Sequence, residues 1–135
     1  MTDLELMQLA VKAREMSYSP YSNFRVGAAL LGKSGKVYTG CNVENAAYSP
    51  TNCAERTAVF KAVSEGERSF EKIAIVGGMA ETIADFCAPC GVCRQVLAEF
   101  CDKDFIFVLG NPDNIKTYTF EEVLPLSFGK GDLEK

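Results

Sequence analysis

Three cysteines in two short patterns are the residues of this chain best suited to chemistry. One pattern is Cys53-Ala54-Glu55, and the other is Pro89-Cys90-Gly91-Val92-Cys93. Together they offer three thiolates and one carboxylate, which can hold a zinc ion and move a proton beside it. A catalytic zinc site normally has three protein ligands and an open position, whereas a structural site is closed by four. The number of ligands therefore decides between a catalytic and a structural role.

The absence of histidine limits the mechanisms that this sequence can support. None of the 135 residues is a histidine, which excludes Ser-His-Asp and Cys-His catalysis and any histidine-rich metal site. The formal net charge of −4 argues against a nucleic-acid partner, because proteins that bind nucleic acids usually carry a basic surface.

The chain also lacks the sequence features of a membrane or secreted protein. No apolar run approaches the roughly 20 residues of a membrane span, so we expect no membrane partner. The first five residues are acidic and amphipathic instead of forming a signal peptide. We therefore expect a cytoplasmic protein, in which the six cysteines do not form a disulfide framework.

Hydrophobic periodicity and turn residues predict elements in the order α-β-β-α-β-α-β-β-α, within one domain that spans residues 1–135. Strands are predicted over residues 24–31, 37–41, 73–76, 105–109 and 115–118. Helices are predicted over residues 3–16, 53–65, about 90–101 and, in a short form, after the capping-box pattern that starts at Thr119. Strands that alternate with helices predict a three-layer α/β/α sandwich around a mixed five-stranded sheet.

Both cysteine patterns fall at predicted helix N-termini. Unpaired backbone N–H groups and the helix dipole favour negative charge there and lower the pKa of a thiol. A lone CxxC pattern could equally be a redox pair or half of a structural zinc site, and Cys53 alone could be an ordinary buried cysteine. The two patterns together, with Glu55 two residues after Cys53, favour a zinc site that performs catalysis.

The patterns resemble the signature of the zinc-dependent nucleobase deaminases, in its three-cysteine version. The resemblance continues through VGAAL at residues 26–30, GCNVENAAY at 40–48, CAERTA at 53–58 and PCGVCRQ at 89–95. On these segments the chain resembles the short, homotetrameric cytidine deaminases. The resemblance implies hydrolytic deamination of cytidine and deoxycytidine to uridine, deoxyuridine and ammonia in pyrimidine salvage. It also implies one zinc ion per chain, held by Cys53, Cys90 and Cys93.

The same resemblance implies roles for residues around the metal ligands. Glu55, which is not a ligand, would take a proton from water and pass it to N3 of the base and then to the departing amine. Arg56 would hydrogen-bond to ligand sulfurs and offset the charge of three thiolates, with Gln95 nearby. Arg56 could alternatively be a solvated helix charge.

Substrate contacts are implied for seven further residues, which are Phe24, Asn42, Glu44, Ala46, Tyr48, Ala54 and Phe128. By resemblance, Asn42 and Glu44 hold the ribose hydroxyls, and the Ala54 backbone contacts the edge of the base. Phe24 would stack on the pyrimidine, and Phe128 would come from a neighbouring subunit. Ordinary packing is the alternative for both phenylalanines.

Two other functions stay open at this point. Cys87-Ala88-Pro89-Cys90 forms a second CxxC pattern, and if Cys87 closed the zinc site the chain would be a non-catalytic structural zinc module. A deaminase of the same fold could instead act on another aminopyrimidine nucleoside, such as blasticidin S. The segment Asn42-Val43-Glu44-Asn45 favours an ordinary ribose. The sequence assigns no role to Cys41, Cys87 or Cys101.

Overall fold

A mixed five-stranded sheet forms the centre of the computed structural model, which describes residues 1–134. The strands are β1 Phe24–Gly32, β2 Val37–Cys41, β3 Phe70–Met79, β4 Ile106–Asn111 and β5 Asn114–Thr119. Their spatial order is β2-β1-β3-β4-β5. β3 and β4 run parallel, and the other neighbouring strands run antiparallel. This is the sheet that the alternation of strands and helices predicts.

Helices cover both faces of the sheet. They are α1 Asp3–Arg14, α2 Ala54–Ser64, α3 Gly91–Phe100, α4 Phe120–Val123 and α5 Lys130–Leu133. Leu6 and Met7 of α1 pack in a core cluster on one face, whereas α2, α3 and α4 contribute to the larger cluster on the other. The three-layer α/β/α sandwich is therefore confirmed. Within residues 1–134, no helix has the length and apolar character needed to cross a membrane.

Two helices begin at the capping boxes expected from the sequence. At the start of α1, the Glu5 backbone N–H donates to Thr2 Oγ1, and the Thr2 backbone N–H donates to Glu5 Oε1. Thr119 and Glu122 exchange the same two hydrogen bonds at the start of α4. Each box satisfies N–H groups that a helix leaves without intrahelical partners.

β3 is longer than the sequence predicts, and α5 is not predicted at all. We expected a strand over residues 73–76 that ends at Gly77-Gly78, but both glycines continue to pair with β1. Glycine is required there by close contacts: a Cβ at Gly77 would lie 2.7 Å from Cys87 Sγ, and one at Gly78 would lie 2.0 Å from the Thr82 carbonyl oxygen. These glycines therefore make room for the segment that leads to the second cysteine pattern.

Gly40 lets the start of α2 lie directly against β2. A Cβ at this position would lie 2.4 Å from the Ala54 carbonyl oxygen and 2.6 Å from the Ala58 backbone nitrogen. Both neighbours are backbone atoms, which cannot rotate away as a flexible side chain can. Gly40 thereby sets the position of the first turn of α2, which carries Glu55.

Gly40→Ala should lower the free energy of unfolding by about 1–3 kcal/mol, because a methyl group in a packed interior forces the backbone to shift. Chemical denaturation measures the loss. Gly131→Ala is the matched control, since a Cβ there would meet no atom within 4 Å. Equal stability of the Gly40 and Gly131 variants would contradict the close contact between β2 and α2.

Candidate functional site

The N-termini of α2 and α3 bring the two cysteine patterns together. Cys53 is the N-cap of α2 and Cys90 is the N-cap of α3, and both have extended backbone dihedral angles. Neither sulfur makes a capping hydrogen bond to its own helix. The sulfurs of Cys53 and Cys90 instead lie 3.7 Å apart. Two helix N-termini, each the positive end of a dipole, therefore meet at one pair of sulfurs.

Three cysteine sulfurs form a cluster with the dimensions of a zinc site. Cys93 Sγ lies 3.5 Å from Cys90 Sγ, and the sulfurs of Cys53, Cys90 and Cys93 all lie within 4.8 Å of one another. A tetrahedral ion with Zn–S bonds of about 2.3 Å places its sulfurs about 3.8 Å apart. The three side chains therefore fit zinc without rearrangement of the helices that carry them.

Cys87 lies outside this cluster, although it lies in the wall of the adjoining cavity. Its sulfur packs beside Gly77. Burial raises the pKa of Cys87 to about 11. The geometry favours three protein ligands over the closed four-cysteine arrangement.

Neighbouring groups favour the thiolate form of Cys53. The adjacent Cys93 thiol and the Arg56 guanidinium lower the pKa of Cys53 to about 5, despite its partial burial. The pKa of Cys93 is raised in turn, by its hydrogen bond with Cys53 and by burial. At least one sulfur is therefore ionised at neutral pH, and a thiolate is the form of cysteine that binds a metal.

Arg56 is the cation beside the cluster. One of its terminal nitrogens donates to Cys53 Sγ over 3.1 Å. Burial disfavours its charge, but contacts with the sulfurs of Cys53 and Cys93 outweigh burial and raise the pKa of Arg56. Its Nε atom is buried with no hydrogen-bond partner within residues 1–134. The Arg56 side chain is thus held against the sulfurs and is not a solvated helix charge.

Glu55 is a nearly fully buried carboxyl group, with 4% of its surface exposed. Burial raises the pKa of Glu55 to about 7, so its protonated and ionised forms are both populated near neutral pH. A group with such a pKa is well suited to accept and return a proton. Glu55 lines the same cavity as Cys53 and Cys90, which places the carboxyl group and the sulfur cluster at one site.

A cavity of about 240 Å³ collects most of the predicted site residues. Its wall contains the sequence-predicted residues Phe24, Asn42, Glu44, Cys53, Ala54, Glu55 and Cys90. These come from the start of β1, from the segment after β2, and from the N-termini of α2 and α3. Segments more than 60 residues apart in sequence therefore meet around one cavity.

Besides Cys93 and Arg56, which belong to the sulfur cluster, four predicted residues do not line this cavity. Ala46, Tyr48 and Phe128 are exposed, and Tyr48 lies in an adjoining depression that also contains Glu44. The Gln95 side-chain amide donates to the Phe128 carbonyl oxygen over 2.8 Å. The Gln95 side chain therefore hydrogen-bonds to the C-terminal segment and not to the cluster sulfurs.

The Asn42 side chain is held by two backbone groups and one hydroxyl group, which leave it one free donor. Its Oδ1 atom accepts hydrogen bonds from the Val26 backbone N–H, over 2.9 Å, and from the Ser17 hydroxyl. Its Nδ2 atom donates to the Phe24 carbonyl oxygen over 2.8 Å. An amide group has two N–H donors, so one N–H of Asn42 is available to a ligand.

The Glu44 side chain keeps one free acceptor position, as Asn42 keeps one free donor. Its Oε1 atom accepts the backbone N–H groups of Tyr21 and Ser22 at 3.0 and 3.1 Å, and its Oε2 atom accepts the Ser22 hydroxyl. A carboxylate has about four acceptor positions, so one remains on Oε2. Asn42 and Glu44 together thus offer one donor and one acceptor, which match one hydroxyl group of a ligand.

The cavity also contains residues that sequence reasoning missed, among them Ser22, Val26, Asn52 and Cys87. Ser22 and Glu44 are 22 residues apart, and no local spacing relates them. Asn52 directly precedes Cys53, but its side chain donates to Thr57 Oγ1, a contact within the first turn of α2. Only the closeness of Asn52 to the first cysteine pattern could have suggested its position.

Known proteins resemble this chain over nearly its whole length. Residues 1–109 match the family model described as the cytidine and deoxycytidylate deaminase zinc-binding region. A cytidine deaminase of Sporosarcina psychrophila is 51% identical over 130 residues, which are 96% of this chain and 93% of the relative. A cytidine deaminase of Halalkalibacterium halodurans is 50% identical over 129 residues, 95% of each chain.

A solved structure and a more distant relative complete the comparison. The crystal structure of cytidine deaminase from Burkholderia pseudomallei superposes with a TM-score of 0.87 at 46% identity, covering 95% of this chain and all of that one. A blasticidin-S deaminase of Bacillus cereus is 32% identical over 130 residues, 93% of this chain and 91% of the relative. The identity to this relative is thus lower than the identity to the cytidine deaminases of Sporosarcina psychrophila and Halalkalibacterium halodurans.

Cys53→Ala should lose nearly all of its zinc after dialysis, because two remaining sulfurs no longer form a complete ligand set. Metal analysis of the purified protein measures the zinc content per chain. Cys87→Ala is the matched control and should keep one zinc per chain. Full zinc retention in Cys53→Ala, or loss of zinc in Cys87→Ala, would contradict the assignment of the ligands.

Proposed function

The chain belongs to the zinc-binding family of cytidine and deoxycytidylate deaminases, and we propose that it hydrolyses cytidine and deoxycytidine to uridine and deoxyuridine with release of ammonia. One observation carries this proposal. A three-cysteine cluster at two helix N-termini lines the same cavity as a buried carboxyl group whose pKa is about 7. A metal site and a proton carrier are the two parts that hydrolytic deamination requires.

Cys53, Cys90 and Cys93 would hold the zinc ion, one per chain. Bound zinc supplies Lewis-acid chemistry that makes water a nucleophile near neutral pH. The two helix N-termini and Arg56 stabilise the negative charge of the three thiolates, which by itself would make bound water less acidic. Arg56 also fixes the orientation of Cys53 through its hydrogen bond to Sγ.

Glu55 is the proposed catalytic residue. Its carboxylate takes a proton from the attacking water while the bond between oxygen and C4 of the base forms. It then passes that proton to N3. It next carries the proton of the new C4 hydroxyl group to the amine, which leaves as ammonia when the C4–N bond breaks and the C4 oxygen becomes a carbonyl. A pKa of about 7 makes both directions of transfer accessible at neutral pH.

Asn42 and Glu44 are proposed to hold one ribose hydroxyl group. The free Asn42 N–H donates to the hydroxyl oxygen, and the free acceptor position on Glu44 Oε2 accepts a hydrogen bond from the hydroxyl group. Phe24, at the start of β1, stacks on the pyrimidine, and the Ala54 backbone contacts the edge of the base. The Glu44 carboxylate repels a 5′-phosphate, which favours a nucleoside over a nucleotide.

We propose a homotetramer as the active unit, by resemblance to the short cytidine deaminases. Ala46, Tyr48 and Phe128 are implied substrate contacts, yet they lie exposed outside the cavity of their own chain. Exposed apolar side chains such as Leu126 and Phe128 mark surfaces that bind a partner. These residues would complete the cavity of a neighbouring copy.

A cytoplasmic location and a role in pyrimidine salvage complete the proposal. The proposed ligands are thiolates, which a reducing compartment preserves. Hydrolytic deamination converts free cytidine and deoxycytidine to uridine and deoxyuridine, the products that a salvage reaction supplies.

Glu55→Gln should keep its fold and its zinc while kcat falls by at least about 10²–10⁴, because the amide cannot carry protons. Steady-state kinetics with cytidine and metal analysis measure the two properties on one sample. Glu99→Gln, on the exposed side of α3, is the control and should behave like the wild type. A Glu55→Gln enzyme within a few-fold of wild-type kcat would refute the role of Glu55.

Cytidine and deoxycytidine should both release ammonia, with kcat/KM values within about tenfold of each other, because the site offers groups for one hydroxyl only. Cytidine 5′-monophosphate and single-stranded DNA should not be substrates. Ammonia release from each compound is measured in parallel with blasticidin S. Equal turnover of the monophosphate, or much faster turnover of blasticidin S, would overturn the proposed specificity.

Light scattering should give a mass about four times the 14.7 kDa of one chain. Phe128→Ala should reduce activity even when the tetramer persists, because the proposed cavity of the neighbouring subunit loses an aromatic wall. An active monomer at micromolar concentration would contradict the shared site.

A further inference from the structure

We propose that Ser22 is a positioning residue for the reaction, whose hydroxyl group orients the Glu44 carboxylate and ties it to the backbone of Phe24. The inference rests on the proposed function, because it concerns how the nucleoside is held. Ser22 lines the cavity itself, but its polar atoms are engaged by the protein and not left for the substrate.

The contacts of Ser22 connect two proposed substrate-binding residues. Its backbone N–H donates to Glu44 Oε1 over 3.1 Å, and its hydroxyl donates to Glu44 Oε2. The Phe24 backbone N–H donates to Ser22 Oγ over 3.0 Å. One side chain thus bridges the proposed ribose-binding carboxylate and the first residue of β1.

The Phe24 contact sets the direction of the hydroxyl hydrogen bond. Because Ser22 Oγ accepts the Phe24 N–H, its own proton points to the remaining partner, the Glu44 carboxylate. A hydroxyl that accepts one hydrogen bond is polarised and becomes a stronger donor in the next. The hydroxyl of Ser22 lowers the pKa of Glu44 below its ordinary value, which keeps this carboxylate ionised as an acceptor.

The turn that carries Ser22 is itself held in place. Asn23, the next residue, has φ of 58°, in the left-handed region that asparagine tolerates better than most residues. Its backbone N–H donates to the Ser19 carbonyl oxygen over 2.9 Å. The Tyr21 and Ser22 backbone N–H groups therefore point at Glu44 in a fixed arrangement, and the Ser22 hydroxyl completes it.

This arrangement decides which acceptor position Glu44 presents. With three donors bound, one position on Oε2 is left, and its direction follows from the other three. Without the Ser22 hydroxyl, Oε2 has two open positions, and the carboxylate can turn or bind water instead of the nucleoside. The loss should appear as weaker substrate binding and not as a slower chemical step.

The chain contains a second copy of the motif, away from the cavity, that serves as a matched control. The Ser34 hydroxyl donates to Glu67 Oε1, its backbone N–H donates to Glu67 Oε2, and the Lys36 N–H donates to Ser34 Oγ. Ser34→Ala removes the same kind of serine–glutamate contact as Ser22→Ala. The hydrogen bonds of Ser34 are with Glu67 and Lys36, neither of which belongs to the proposed site.

The test compares Ser22→Ala, Ser22→Thr and Ser34→Ala with cytidine and with 2′,3′-dideoxycytidine, which lacks the 2′- and 3′-hydroxyl groups. Ser22→Ala should lose about tenfold in kcat/KM for cytidine, mainly through KM, because a hydrogen bond to a charged group orients the acceptor. For the dideoxy compound it should change less than about twofold. Ser22→Thr should recover most of the loss, and Ser34→Ala should match the wild type with both compounds.

Equal losses of Ser22→Ala on both nucleosides would overturn the inference, since a general structural defect does not depend on ribose hydroxyls. An unchanged KM for cytidine would overturn it as well. Zinc content and melting temperature, measured on the same samples, identify a variant that fails to fold. In that case the milder Ser22→Thr and Ser22→Cys variants decide through the same comparison of nucleosides.

A second readout separates this inference from the proposed function. In an NMR titration of side-chain carboxyl carbons, Ser22→Ala should raise the pKa of Glu44 and leave that of Glu67 unchanged, and Ser34→Ala should do the reverse. A wild-type chain that is inactive on cytidine overturns the proposed function, and the titration still decides the Ser22–Glu44 contact. An unchanged pKa of Glu44 in Ser22→Ala would show that the hydroxyl does not hold the carboxylate.

Discussion

Repulsion between three cysteine sulfurs within 4.8 Å of one another is the constraint on which the arrangement of this site depends. Thiolates at such distances require nearby positive charge, and the fold supplies it from three directions. The N-termini of α2 and α3 meet at Cys53 and Cys90, and Arg56 donates to Cys53 Sγ. A zinc ion completes the compensation. The packing of α2 against β2 at Gly40 therefore acts directly on the chemistry, because it sets where one of these helix ends lies.

The two carboxyl groups of the cavity, Glu55 and Glu44, differ in burial and in the number of hydrogen bonds that they accept. Glu55 is nearly fully buried, and burial raises its pKa to about 7, which suits a group that exchanges protons. Glu44 accepts three hydrogen bonds from the turn at Tyr21 and Ser22, so its pKa falls and it stays an acceptor. Two carboxyl groups in one cavity thus differ because of their surroundings, as general acid–base groups and binding groups must.

Local signals in the sequence predicted much of the fold. The capping boxes at Thr2 and Thr119 mark the starts of α1 and α4, and residues 37–41 form β2 as expected. The signals fail where a distant contact decides: Gly77 and Gly78 continue β3 because they pair with Val26 and Arg25 of β1. In the site, the two cysteine patterns predicted the zinc cluster and Glu55. The same limit applies to the contact of Ser22 with Glu44, which bridges 22 residues and which no periodicity or spacing encodes.

An open zinc site with three cysteine ligands distinguishes a catalytic metal from a structural one, and X-ray absorption at the zinc edge of the purified wild-type protein counts those ligands. An open site should give three sulfur neighbours at about 2.3 Å and one oxygen neighbour at about 2.0–2.2 Å. Addition of a cytidine analogue that binds without reacting should leave the sulfur count at three. Four sulfur neighbours would mean that Cys87 or another cysteine closes the site, and would contradict a catalytic role for the metal.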